Sequence, residues 1–285
     1  MAVSRHATIT GVGSSLPPRL VPNTWFEARI DTTDEWIRTP FPATAVWVQD
    51  KLELSCPAFD VNAACAGFSY GLAAATAFVE AGMADTILLI GAEVFSRILD
   101  FTDRQTCVLF GDGAGATVIQ ASERPGIEGT VLGADGTAAE ILLVPAGGSR
   151  EPSSPQTLAA SRHHVQMPNG REVFKRAVTE MAAACREVLE KNGHAPEDVD
   201  LLIPHQANAR IMVAVAERLG IPIERAVVDV AEVGNTSAAS IPIALDRAYR
   251  AGRIKEGDLV LFTSFGAGLT WGATAMRWTM PGIAT

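Results

Sequence analysis

Short apolar runs bounded by turn residues alternate along this chain with longer segments of helical spacing, and that alternation limits the fold more than any other feature. Strands are expected at residues 7–12, 86–90, 108–110, 116–119, 201–203, 226–230 and 259–263. Helices are expected at 66–82, 173–192, 211–219 and 241–251, ending at or just before Gly82, Gly193, Gly220 and Gly252. Strands interleaved with helices pack as an α/β layered architecture. Proline and serine cluster between Ala146 and Ser161, a surface loop that reads equally as a connector or as a cover over a site.

At 285 residues the chain suffices for one large domain or two moderate ones. Its formal net charge of -9 speaks against a nucleic-acid surface, which needs clustered Lys and Arg. No apolar run reaches the roughly 20 residues that cross a bilayer, and residues 1–6 lead into no signal-like apolar stretch. Cys56, Cys65, Cys107 and Cys185 form no CxxC pair. Neither a disulfide framework nor a zinc site is therefore expected, and a reduced, cytoplasmic setting is.

Three segments carry chemistry. In residues 60–71 a strand-like approach runs into Cys65, which has small neighbours and stands where an alanine-rich helix begins. A thiol there meets unpaired amides and the positive end of the helix dipole, both of which favour thiolate. Taken alone, the residue suits a buried structural cysteine as well, a role that fits Cys107 and Cys185 better. His205 follows an apolar run and Pro204, at a strand end where α/β enzymes place working residues. Asn235 stands in a loop before a helix and on its own reads as a turn or cap residue. The conjunction matters more, because all three occupy strand-to-helix junctions that one layered sheet could gather. A thiolate would attack an acyl thioester, and His and Asn would donate hydrogen bonds to a carbonyl oxygen gaining charge. Of two glycine-rich segments, 110–116 lacks GxGxxG spacing and suits close strand packing, while the amides of 265–272 suit an oxyanion hole.

With the stretches DTTDEWIRT (31–39), AFDVNAACAGFSYGLA (58–73), FTDRQTCVLFGDGAGA (101–116), NGREVFK (169–175), PHQANARI (204–211), GNTSAASIPIAL (234–245) and FGAGLTWG (265–272), the chain closely resembles the β-ketoacyl-acyl-carrier-protein synthase III family. These are the condensing enzymes that initiate type II fatty acid synthesis. The resemblance implies a thiolase-like layered αβαβα fold made of two similar halves. Residues 1–123 would carry the nucleophilic cysteine and 124–285 the histidine and asparagine. It also implies a homodimer, and an active site at the foot of a narrow tunnel.

Carried over residue by residue, Cys65 resembles the acyl-accepting nucleophile, and His205 and Asn235 the pair that promotes decarboxylation of a malonyl thioester. The amides of Cys65 and Ala267 would form the oxyanion hole. Trp36 and Arg104 resemble the residues that sandwich the adenine of coenzyme A. Gly170, Phe174, Ala207, Asn208 and Phe265 resemble substrate-binding and tunnel positions. Arg210 resembles the basic residue where the carrier protein docks, and Phe41 the one that reaches the partner's acyl pocket. Acyl-coenzyme A and malonyl-acyl carrier protein would be substrates, with no metal or cofactor.

Two departures stand out. The family has three consecutive glycines where this chain has Gly266-Ala267-Gly268. At the Thr39–Pro40 junction it carries several dozen additional residues, a core strand among them, whose loss should leave unpaired backbone and exposed apolar surface. Other readings are a related thiolase-fold acyltransferase of secondary metabolism, a Cys–His–Asn hydrolase whose amide orients the histidine, and a catalytically silent binding protein.

Overall fold

The structure, a computed structural model, describes residues 5–16 and 42–282. Trp36, Phe41 and the Thr39–Pro40 junction lie outside the described residues. Residues 17–62 form a compact unit of their own, whose described part holds helix α1 (Thr44–Lys51). Ala43 offers no capping side chain there. The Asp60 carboxylate instead accepts the Thr44 and Ala45 amides at 2.8 Å each, satisfying helix-start donors that have no partner within the helix.

The larger unit, residues 1–16 and 63–285, is built on two sheets. The first contains β1 (His6–Ser15), β2 (Thr86–Glu93) and β3 (Gly113–Ser122), all antiparallel in the order β1-β3-β2. The second contains β4 (Ile127–Ala134), β5 (Leu201–Pro204), β6 (Leu259–Gly266) and β7 (Thr270–Arg277) in the order β4-β7-β6-β5. Only β5 and β6 run parallel within it.

Helices α2 (Gly67–Glu80), α3 (Gly170–Lys191), α4 (Ala209–Leu219) and α5 (Ser240–Arg250) complete the layers. Strand β6 is buried along its whole length, so it reads as a continuous apolar run whose side chains alternate between two cores. Leu259 and Leu261 face an outer core with Met181, Val188 and Leu189 of α3 and Val215 and Leu219 of α4. Val260 and Phe262 face an inner core with Phe68 and Leu72 of α2, Ile241 and Leu245 of α5, and Ile9 and Ile119 of the first sheet. The described layers therefore run sheet, helices, sheet, helices, as the thiolase fold requires.

Two expected strands do not form. Residues 108–110 are a turn with one bridge, Phe110 to Asn235; Val108 is 73% exposed, and only Phe110 packs on a small core, stacked on Phe95 at 4.5 Å. Residues 226–230 make one bridge, Ala226 to Leu202, before the short helix Val230–Val233. Strands β4 and β7 were not expected: glycine, alanine and threonine dilute their apolar pattern. The surface segment 146–161 contains a short helix, Pro155–Ala159, capped by Ser154. Among the described residues β2 pairs with β3 alone, and its Leu88 and Ile90 are 42% and 39% exposed.

Glycines in β3 let that strand lie against α5. A Cβ on Gly115 would fall 2.8 Å from the Ile243 nitrogen and 2.9 Å from Pro242. The glycine-rich run is thus used for close packing. Gly115→Ala should destabilise the fold by about 1–3 kcal/mol through overpacking, read as a lower urea midpoint with unchanged slope.

Candidate active site

Cys65 lies in a 3-10 turn, Ala64–Ala66, that leads directly into α2. The Ser237 side chain and the amides of Cys65 and Ala267 stand close enough to its sulfur to favour the thiolate. The backbone after β6 is pressed onto this turn, since a Cβ on Gly266 would lie 2.7 Å from the Cys65 nitrogen. Thr270 Oγ1 donates to the Ala63 carbonyl at 2.9 Å and lies 3.1 Å from that of Ala267.

His205 follows β5, and its amide donates to the Thr263 carbonyl at 2.7 Å, extending the parallel pairing by one residue. Its Nδ1 lies 2.6 Å from Ser240 Oγ, which also accepts the Gln206 amide at 3.3 Å. The hydroxyl's own proton therefore goes to Nδ1; the opposite assignment would leave it no acceptor among the described residues. The ring proton is thereby placed on Nε2, as a donor.

Asn235 is fixed through its backbone, its amide donating to Leu109 at 2.8 Å and its carbonyl accepting from Gly111 at 2.9 Å. Its Oδ1 accepts the Ser237 amide at 2.9 Å, which turns the Nδ2 donors away from that bond. The turn that carries Asn235 thus touches Cys65 through Ser237 and His205 through Ser240.

The three residues are nearly enclosed, with Cys65 6%, His205 2% and Asn235 7% exposed. Burial pushes the Cys65 thiol up to about 11, against the pull of Ser237 and of the Cys65 and Ala267 amides, and the Glu93 carboxylate adds to the rise. Position at a helix start does not by itself yield a thiolate here, because desolvation wins. Burial also draws His205 down to about 4, so the ring is neutral near pH 7.

Other expected site residues are more dispersed. Arg210 lies over the Phe174 ring at 5.8 Å, and both line a groove of about 340 Å³ with Val213 and Glu217. Asn208 caps α4, accepting the Arg210 amide at 2.9 Å. Gly170 opens α3, while Phe265 and Ala207 pack in or against the outer core. Arg104 is exposed on the turn after Phe101 and makes none of the site's hydrogen bonds. Ser237, Ser240 and Glu93 were missed as site residues. Both serines lie in the quoted 234–245 stretch, and Glu93 ends a strand, so a search for polar residues at strand ends and beside Asn235 finds them.

Two family models match the chain: 3-oxoacyl-[acyl-carrier-protein] synthase III over residues 59–136, and the C-terminal model of the same family over 189–278. A β-ketoacyl-[acyl-carrier-protein] synthase III from Caldanaerobacter subterraneus is 43% identical, with 96% of this chain and 98% of the relative covered. That alignment spans 325 positions against 285 residues here, so at least 40 of its positions have no residue in this chain. The crystal structure of 3-oxoacyl-(acyl carrier protein) synthase III from Pseudomonas aeruginosa superposes with a TM-score of 0.84 at 36% identity, covering 96% of this chain and 99% of that one. The priming β-ketosynthase of the R1128 polyketide pathway superposes with the same TM-score of 0.84 at 31% identity, covering 99% and 98%. The fold is that of the thiolase-like condensing enzymes. The chain belongs to the β-ketoacyl-acyl-carrier-protein synthase III family of acyltransferases.

A histidine held neutral by burial carries a stability signature. Between pH 6.5 and about 4 the unfolded histidine binds a proton that folded His205 refuses. Stability from this group is complete above pH 6.5 and is lost as pH falls through that window, by about 3 kcal/mol. Urea unfolding across the window should show a steeper acid loss in the native protein than in His205→Gln.

Proposed function

We propose that this chain condenses a short acyl-coenzyme A primer with malonyl-acyl carrier protein through a Cys65 thioester, initiating fatty acid synthesis. The observation that carries this reading is the single turn that contacts Cys65 through Ser237 and His205 through Ser240 while bearing Asn235. In the first half-reaction Cys65 attacks the primer thioester, and the amides of Cys65 and Ala267 hold the tetrahedral oxyanion. In the second, His205 Nε2–H and Asn235 Nδ2–H donate to the malonyl thioester carbonyl. They stabilise the enolate formed as carbon dioxide leaves, and its carbon attacks the Cys65 thioester. A neutral, buried histidine suits this role, since a fixed donor in a low-dielectric site stabilises developing charge without giving up its proton.

Residues 1–123 contribute the nucleophile and 124–285 the donor pair. The protein works as a cytoplasmic homodimer, with the carrier's pantetheine arm entering beside Arg210 and Phe174. A hydrolase of the Cys–His–Asn type needs the amide to orient the imidazole, whereas Ser240 occupies His205 Nδ1 and Asn235 Oδ1 is engaged by Ser237. A priming synthase of secondary metabolism is the second reading, favoured by the likeness to the R1128 enzyme.

Mass spectrometry after incubation with a panel of acyl-coenzyme A donors should find the acyl group on Cys65 and rank the primers. Cys65→Ala should take up none; an acyl adduct persisting in that variant would overturn the nucleophile assignment. His205→Ala and Asn235→Ala should still be acylated but lose roughly 100-fold or more in carbon dioxide release from malonyl-acyl carrier protein.

A further inference from the structure

Two backbone stretches far apart in sequence meet beside Cys65, and a single hydroxyl joins them. The Cys65 amide belongs to the turn Ala64–Ala66. The Ala267 amide belongs to the short link between β6 and β7, closed where Gly266 pairs with Thr270. Thr270 Oγ1 lies 2.9 Å from the Ala63 carbonyl and 3.1 Å from the Ala267 carbonyl, so its one proton is shared between the two stretches. The Ala63 carbonyl also accepts the Ala66 amide at 3.0 Å, the bond that closes the turn around Cys65. The Ala267 carbonyl belongs to the same residue as the amide that stands near the sulfur.

We propose that Thr270 is a positioning residue for acylation, its hydroxyl setting the Cys65 and Ala267 amides relative to one another. The proposal rests on the reading above, in which Cys65 is the nucleophile and those two amides hold the oxyanion. Donors of this kind are effective when fixed in advance where charge develops, and a small misplacement is costly.

The rest of the link is held without the hydroxyl. The Thr270 backbone pairs with Ala134 of β4, and Asp135 and Leu269 exchange backbone hydrogen bonds at 2.9 Å each. The Leu269 side chain is buried in the outer core, and Asp135 is ion-paired with Arg176 of α3. What the hydroxyl adds is the attachment of this anchored link to the nucleophile turn. That turn needs an attachment: Ala64, between the bonded Ala63 carbonyl and Cys65, sits at φ +46°, a conformation that a non-glycine residue keeps only where its surroundings impose it. His205 and Asn235 are fixed by other bonds, to Thr263 and Ser240 and to Leu109 and Gly111 respectively. The donor pair for the malonyl thioester is therefore independent of Thr270.

The test separates the two half-reactions. Acylation of Cys65 is followed by rapid-quench mass spectrometry with the fastest donor of the acyl-coenzyme A panel. Carbon dioxide release from malonyl-acyl carrier protein is measured without a primer. Thr270→Val keeps the shape of the side chain and removes the hydroxyl. Its maximal acylation rate should fall roughly tenfold to a hundredfold at an unchanged half-saturating donor concentration. Its carbon dioxide release should stay within about twofold of native. Thr270→Ser, which restores the hydroxyl, should recover acylation to within about threefold. If Thr270→Val fails to fold, Thr270→Ala reads the same loss. A native acylation rate without the hydroxyl, an equal fall in both half-reactions, or no recovery in Thr270→Ser would overturn the proposal. A native protein that takes up no acyl group on Cys65 would overturn the reading itself, and the proposal with it, before any variant is compared.

Discussion

One short turn, residues 235–240, is hydrogen-bonded to three separate parts of the chain, and the geometry of the site depends on it. Its start is stitched to Leu109 and Gly111 by the Asn235 backbone. Its middle reaches the Glu93 carboxylate through the Ala238 amide and lies beside Cys65, and its end meets His205 through Ser240. These bonds are buried, so breaking one leaves a polar group without water or partner, at a cost of about 1–3 kcal/mol. The approach is possible because the facing backbone is bare at Gly91 and Gly113.

Enclosure then sets the protonation states. Water is nearly excluded, so the imidazole stays neutral and the thiol stays protonated, the opposite of a preformed thiolate–imidazolium pair. The same exclusion makes each fixed donor worth more to an oxyanion than it would be in water. Reactivity arises when a substrate brings an electrophile to groups that are individually quiet.

Much of this was legible in the sequence, for identifiable reasons. The helices were found because long alanine-rich or amphipathic segments ending in glycine leave an unambiguous signal. Strands buried on both faces, such as β6, were equally plain. Strands β4 and β7 were hidden because small residues and threonine carry their packing. Residues 108–110 and 226–230 looked like strands because apolar runs that make a single bridge cannot be told from short strands by pattern. Cys65, His205 and Asn235 were marked by their junctions, but which hydrogen bonds join them was not. That linkage runs through two serines whose neighbours Cys65 and His205 are distant in sequence.

The turn after β6 sets what may vary beside the sulfur. A Cβ on Gly266 would lie 2.7 and 2.8 Å from the Cys65 and Ala66 nitrogens, and Gly268 adopts φ +141° with Thr270 2.9 Å from any Cβ. Between them Ala267 lends only its amide. The middle position is therefore the one member of the trio open to drift: a methyl there is silent, while the same atom one residue to either side would dislodge the sulfur or wrench the loop.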